Sequence, residues 1–249
     1  MEHTHHYGLI GRQLSHSFSQ NYFNGKFLRE GLEGYTYELI ELDELSCLKS
    51  FVSQNCLDGF NVTIPYKVDI LPLLDDLDDS ARQIGAVNCV KVMRSPEGLK
   101  LKGFNTDAPA FAETLQHTSF DIKGTKALIL GTGGAAQAVA YGLGMLGIEF
   151  LFVSRTPRGT GQTDYTTAYN LASDHQIIVN ATPVGMFPNC SCSPWAHPDV
   201  LTSRHLCYDL IYNPSPTRFM QEAALRGAAV QDGLPMLHRQ AELSWKIWE

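Results

Sequence analysis

Residues 127–156 hold a pattern that few folds can accommodate: an apolar run, a glycine turn, a helical stretch, a second apolar run and then an arginine. The run 127–130 is too short for a helix and is closed by Gly131, as expected of a strand buried on both faces. Gly131, Gly133 and Ala136 fit G-x-G-x-x-A. The first glycine of that pattern makes a tight turn, the second lets the backbone approach a pyrophosphate, and the third small residue lets a helix pack close to the strand. The helix expected over 135–146 would aim its unpaired amides and positive dipole end at such a group. A second strand is expected over 148–153, and its end decides which dinucleotide is read. A carboxylate about 20 residues after the glycines usually holds the ribose 2′-hydroxyl of NAD, but Ser154 and Arg155 stand here instead. A guanidinium fork attracts the 2′-phosphate that a carboxylate would repel, so the pattern predicts NADP. A glycine turn alone also serves ordinary strand-to-helix connections; the two strands, helix and arginine together favour the cofactor.

The chain has 249 residues, enough for one large domain or two of ordinary size. With 19 Lys plus Arg against 26 Asp plus Glu, its formal net charge is -7. No basic cluster suggests a nucleic-acid partner. No apolar run approaches the roughly 18 residues of a membrane span, and no signal core opens the sequence. The expectation is a cytoplasmic protein without a nucleic-acid or membrane partner. The six cysteines (Cys47, Cys56, Cys89, Cys190, Cys192 and Cys207) include no C-x-x-C pair. They read as reduced and mostly buried thiols, and no metal site is expected. His3, His5 and His6 read as a terminus outside the fold.

Strand and helix alternate along the first hundred residues. A strand over 7–10 precedes Ser15-His16-Ser17-Phe18-Ser19 and a helix over 20–29, for which Ser19 is the expected N-cap. Ser15 and Ser17 are then either loop residues or hydroxyl donors to a small ligand. A strand over 35–41 leads to a helix ending near 54 and capped by Asp43. A third strand over 60–64 runs into Pro65-Tyr66-Lys67. A lysine in a helix's first turn is mildly unfavourable with the dipole, so Lys67 is either solvated or there for another reason. The acidic run 75–79 lacks the glycine and terminal glutamate of a calcium loop and reads as a solvated loop and helix cap. A hairpin turning at 95–98 brings the chain to Gly103-Phe104-Asn105-Thr106-Asp107, where Asp107 could simply cap a helix over 108–115. Beyond Thr156, residues 164–173 show no convincing helical stripe, so the crossover looks abbreviated. A strand over 176–180 then runs out into Ala181-Thr182-Pro183-Val184-Gly185-Met186, where a doubly wound sheet places ligand-contacting loops. Strands over 206–211 and 229–231, a helix over 217–226 and a terminal helix after Gly233 complete the chain. On that last helix Gln240 reads by spacing as an exposed glutamine.

Several fragments resemble shikimate dehydrogenases. They are Ser15-His16-Ser17-Phe18-Ser19, Asn61-Val62-Thr63-Ile64-Pro65-Tyr66-Lys67, Gly85-Ala86-Val87-Asn88, Gly103-Phe104-Asn105-Thr106-Asp107, Gly131-Thr132-Gly133-Gly134-Ala135, Ser154-Arg155-Thr156, Asn180 to Met186 and Gly233-Leu234-Pro235-Met236-Leu237, in family order along nearly the whole chain. The resemblance implies an α/β protein with an N-terminal α/β substrate domain (1–104), a Rossmann-type NADP domain (105–232) and a terminal helix (233–249) folding back on the first domain, with the substrate in the cleft. By the same resemblance Ser15, Ser17 and Thr63 would hold the substrate carboxylate, and Asn88, Gln240 and Tyr212 would also meet the substrate. Lys67 and Asp107 would meet the reacting hydroxyl. Gly131, Gly133, Gly134, Ala135, Ser154, Arg155, Thr156, Arg158, Thr182, Met186 and Gly233 would line the NADP site. The implied reaction is reversible reduction of 3-dehydroshikimate to shikimate in chorismate biosynthesis, by a monomer or homodimer. Ketone reduction needs an acid, and a lysine of ordinary pKa, about 10.4, carries the proton at neutral pH. A quinate or shikimate dehydrogenase of broader substrate or NAD use, and a non-catalytic ligand sensor, are the competing readings. The sequence departs from the family at Gln20, Phe23 and Ser154, and the loop beyond Arg158 is short.

Overall fold

The computed structural model describes residues 4–14 and 17–249; Ser15 and His3 lie outside them. Two compact units emerge, one of residues up to Thr106 together with Gln240–Glu249, the other Asp107–Arg239. The divisions therefore fall two residues past the expected 104, and inside the last helix rather than at 232.

The first unit contains β1 (His5–Gly11), α1 (Ser19–Glu30), β2 (Tyr35–Glu41), α2 (Leu48–Gln54), β3 (Leu57–Val62), α3 (Tyr66–Asp69), β4 (Asp76–Leu77), α4 (Asp79–Ile84), β5 (Cys89–Ser95) and β6 (Gly98–Phe104). Its sheet runs β2-β1-β3-β5-β6-β4. Helical crossovers make β1 parallel to β2 and β3, whereas the tight turn at 95–98 makes β5 and β6 an antiparallel hairpin. Both faces of the sheet are covered. Ile10, Phe60, Val62, Val90 and Leu101 pack with Leu48 and Val52 of α2 on one side. Tyr7, Leu9 and Tyr37 pack with Phe23 and Phe27 of α1 and with Ala241, Trp245 and Trp248 on the other.

Three local expectations are corrected in this unit. His5 and His6 belong to β1, where the His5 ring stacks on Tyr35 at 4.3 Å. Ser19 is the first residue of α1 and is buried; the residue before the helix is Phe18, and Ser17 Oγ accepts from the Ser19 amide at 3.3 Å. Asp43 does not cap α2, which is preceded by Cys47; its carbonyl accepts from Arg12. The acidic run supplies the expected helix cap, Asp78, which caps α4 through the Ser80 and Ala81 amides, while Lys49 pairs with Asp75 and Lys102 with Asp76.

The second unit contains α5 (Asp107–Gln116), β7 (Lys126–Leu130), α6 (Gly134–Met145), β8 (Glu149–Val153), β9 (Gln162–Thr163), α7 (Tyr165–Leu171), β10 (Ile177–Asn180), β11 (Leu206–Asp209), α8 (Arg218–Leu225) and β12 (Ala229–Gln231). All its strand pairs are parallel, in the order β12-β11-β10-β7-β8-β9. That is the doubly wound dinucleotide order, and its topological switch point falls between β7 and β10. The crossover after β9 does contain a helix. Asp164 caps α7 through the Thr167 amide at 2.7 Å, and Tyr165, Ala168, Tyr169 and Ala172, spaced as one helical face, pack into the core with Trp195. The cysteines are free thiols, but only Cys89 and Cys207 are buried; Cys47, Cys56 and Cys192 are exposed. Finally α9 (Leu234–Trp248) belongs to the second unit up to Arg239, where Arg239 pairs with Glu113, and to the first from Gln240 onward. No helix among the described residues is long and apolar enough to cross a membrane.

Candidate functional site

The glycine turn takes the conformation its sequence demands. Gly131 has φ +107°, and a Cβ there would lie 3.1 Å from the Thr182 methyl and 3.3 Å from the Ala181 carbonyl oxygen. Glycine thus lets the ends of β7 and β10 approach at the switch point. Gly133 differs, because a Cβ there would meet nothing within 4 Å. It precedes α6 in extended conformation, without a side-chain cap on the helix, and no acidic residue occupies the first turn. Open space, uncapped amides and a twelve-residue helix dipole suit a pyrophosphate over Gly131 to Ala135. After β8, Ser154 Oγ accepts from the Thr156 amide at 3.2 Å, holding the turn on which Arg155 is exposed. Arg158, also exposed, is fixed by its own amide on the Gln162 side-chain oxygen. The two guanidinium groups and the missing carboxylate fit a 2′-phosphate.

A second set gathers at the carboxyl ends of β10 and β11. Thr182 donates its hydroxyl to Asn180 Oδ1 at 2.7 Å and accepts from the Val184 amide. Two residues farther on, Met186 is exposed, and Tyr212, just past β11, is half-buried. Gly233 is obligatory where it stands, since any Cβ would overlap the Leu210 carbonyl oxygen. Beneath these loops lies Asp209, which the sequence reading missed. It is fully buried and accepts from Asn180 Nδ2, the Ile211 amide and Thr217 Oγ1 at 2.9, 3.0 and 2.7 Å. Burial pushes its carboxyl up to about 6, against the opposing pull of those hydrogen bonds.

In the first unit the proposed substrate residues are held by main-chain anchors. Thr63 donates its amide to Ile10, and Gly11 leaves room for the Thr63 methyl and Leu14, so the end of β3 lies against the stretch from Gly11 to Leu14. Lys67 is the second residue of α3, half-buried, and its carbonyl accepts from the Val87 amide at 2.8 Å. The next residue, Asn88, is buried and grips Thr106 through both side-chain atoms: Oδ1 takes the Thr106 amide at 2.7 Å and its hydroxyl at 3.2 Å, and Nδ2 lies 2.9 Å from Oγ1. Asp107, itself buried, follows Thr106. The side chains extend this lattice: Asn61 bonds the Asn88 carbonyl and Ser244 Oγ and accepts from the Tyr37 hydroxyl, while Ser244 lies 3.2 Å from Thr106 Oγ1. Ser244 Oγ also donates to the Gln240 carbonyl. Spacing gave no hint of Ser244, because a serine on a helix is ordinarily a surface residue. Its neighbours Ala241 and Trp245, both apolar and buried, were the available signal.

Residues 9–90 match a family model described as the shikimate dehydrogenase substrate binding domain. A shikimate dehydrogenase (NADP(+)) from Caldicellulosiruptor saccharolyticus is 36% identical, over 96% of this chain and 90% of its own. This chain belongs to the shikimate dehydrogenase family. Solved shikimate dehydrogenases agree along the whole length. Shikimate dehydrogenase 1 of Peptoclostridium difficile superposes with a TM-score of 0.88 at 34% identity, covering 98% of this chain and 91% of that one. The Thermus thermophilus enzyme, in complex with NADP(H) and shikimate, gives 0.86 at 34% identity, covering 98% and 93%. The shikimate dehydrogenase fold, a substrate domain followed by a Rossmann-type cofactor domain, is thus the fold of this chain.

Proposed function

We propose that this chain catalyses the reversible NADPH-dependent reduction of 3-dehydroshikimate to shikimate, with Lys67 and Asp107 as its proton-transfer pair. The family supports the reaction, and the relative solved with NADP(H) and shikimate supports both ligands. The observation that carries the residue assignment is the lattice from Lys67 through Val87 and Asn88 to Thr106. It fixes the backbone at Lys67 and at the residue before Asp107 by hydrogen bonds under 3 Å, the kind of rigid support a proton-transfer pair requires.

NADPH, when bound, supplies the hydride. The chain's own contribution is the proton and the geometry. The Lys67 ammonium gives a proton to the oxygen that becomes the alcohol, and in reverse Lys67 takes it back; Asp107 orients the ammonium and offsets its charge. Such transfer contributes roughly 10²- to 10⁴-fold. Ser15, Ser17 and Thr63 receive the substrate carboxylate through hydroxyl donors. Asn88 offers its second amide proton, and Gln240 and Tyr212 offer further polar groups to the ring. On the cofactor side Gly131, Gly133, Gly134 and Ala135 take the pyrophosphate, Ser154, Arg155, Thr156 and Arg158 the 2′-phosphate, and Thr182, Met186 and Gly233 the nicotinamide end. Six free thiols suit the reducing cytoplasm, where we place the protein, as a monomer or homodimer.

The test is absorbance of reduced cofactor with shikimate and quinate crossed against NADP and NAD. Turnover confined to shikimate with NADP is expected. Turnover of quinate, or equal use of NAD, would favour the broader dehydrogenase, and none in any combination would overturn the reading.

A further inference from the structure

We infer that Asp209 is a positioning residue for the nicotinamide end of the cofactor, setting through Asn180 and Thr217 the loops that carry Thr182, Met186 and Tyr212. The inference rests on the cofactor reading above. Asn180 and Asp209 are partners in parallel register at the last residues of β10 and β11, and both are fully buried. Backbone pairing already joins the two strands, so the sheet itself does not need this pair.

What the pair adds is direction. Three donors converge on Asp209 and it returns none, so the site is built for an acceptor-only carboxylate. Asn180 must therefore turn its NH2 toward Asp209, which sends Oδ1 the other way. There Oδ1 accepts both the Thr182 amide, at 3.0 Å, and the Thr182 hydroxyl, while Nδ2 also reaches the Val184 carbonyl at 3.2 Å. The orientation of one carboxylate thus fixes the amide, the hydroxyl of Thr182 and the turn leading to Met186. On its other side the same carboxylate holds the Ile211 amide, next to Tyr212, and Thr217, whose hydroxyl caps α8 by accepting from Met220. Two loops that leave the sheet separately are aimed from one buried point. Raising the carboxyl by burial is the cost of keeping that point dry.

The experiment compares Asp209→Ala and Asp209→Asn with the parent chain in steady-state reduction. It also measures binding of adenosine 2′,5′-bisphosphate, a probe that has the phosphate end but no nicotinamide. Asp209→Ala should lower kcat roughly 10- to 100-fold, the penalty of a small misplacement of reacting groups, and leave bisphosphate binding within about twofold. Asp209→Asn can keep its oxygen toward Asn180 Nδ2 and the Ile211 amide and turn its NH2 to the Thr217 hydroxyl, which can accept as well as donate, and should recover most of that loss. If Asp209→Ala does not fold, Asn180→Ala should show the same split, because it cuts the Thr182 arm alone. A parent that turns over beside an Asp209→Ala of unchanged kcat overturns the inference and leaves the function standing. Bisphosphate binding lost in step with turnover in both alanine variants also overturns it, since the pair would then only hold the unit together. A parent without turnover overturns the cofactor reading and the inference with it.

Discussion

Lys67→Ala would remove the proposed proton donor and leave in place the hydroxyls proposed for the substrate carboxylate. Turnover should fall at least about a hundredfold while the substrate KM changes little, as initial rates over a range of shikimate concentrations will show. Arg155→Ala would remove the proposed charge-assisted partner of the 2′-phosphate. Such bonds are worth about 1.5–3 kcal/mol, so KM for NADP should rise by roughly 10- to 100-fold while KM for NAD stays put. Asp209 yields a pH dependence. Its folded-state carboxyl lies near 6 against an ordinary 3.8, so its contribution favours folding at low pH and is lost as pH rises through about 6. Relative to the parent, Asp209→Asn should therefore gain thermal stability as pH rises from 4 to 7; a difference in Tm that is flat with pH would show that the carboxyl is not raised. Legibility at this scale followed chemistry that leaves a local trace. Gly131 was readable because a tight turn admits little else. Asp209 was not, because D-L-I-Y-N-P reads as a strand end and sequence does not display burial.

Among the elements, α9 bears most directly on stability. Trp248 stacks on Tyr7 at 4.9 Å, donates its indole proton to the Val90 carbonyl and lies directly over Gly59 of β3, where a Cβ would collide with its ring. Trp248→Ala should cost about 3–5 kcal/mol, as large aromatic deletions in cores do, measurable by urea unfolding. Lys26 of α1 adds a polar clasp, reaching Glu30 at 2.6 Å and Glu242 of α9 at 3.0 Å. Burial lowers its ammonium pKa, yet the two carboxylates more than offset this and leave it raised. Most strands of both sheets were legible from short apolar runs and turn residues; the two-residue edge strands β4 and β9 were not, being too short and too polar to show a pattern. α7 was not: its stripe is one helical face of two tyrosines and two alanines, too polar and too small to read as a core face until Trp195 is seen packing on Tyr169 at 4.8 Å. α2 was misread at its start because an aspartate at position 43 has the chemistry of a cap, while the helix begins only at Leu48.

For the whole molecule, one strand–turn–helix–strand pattern foretold a doubly wound sheet because parallel strands need crossovers of one hand and a ligand crevice where the winding reverses. The first sheet, mixed in direction, carries no comparable single signature, and the hairpin at 95–98 was its clearest trace. Nor could sequence place the division of α9, which depends on which core each of its turns enters. Removing residues 240–249 should unfold the first unit, since Trp245 and Trp248 fill its aromatic core, and leave the second folded. Trp195, then the last tryptophan, reports on the second unit; if its fluorescence shifts to that of an exposed indole, the units are not independent. The division also sets an order of events on the ribosome. The second unit is one continuous stretch and can fold as soon as it emerges. The first waits for residues 240–249, which follow the whole of the second, so until then Tyr7, Phe23 and Phe27 stand without the tryptophans that cover them. In a growing chain of this protein, the unit begun first of the two is finished second.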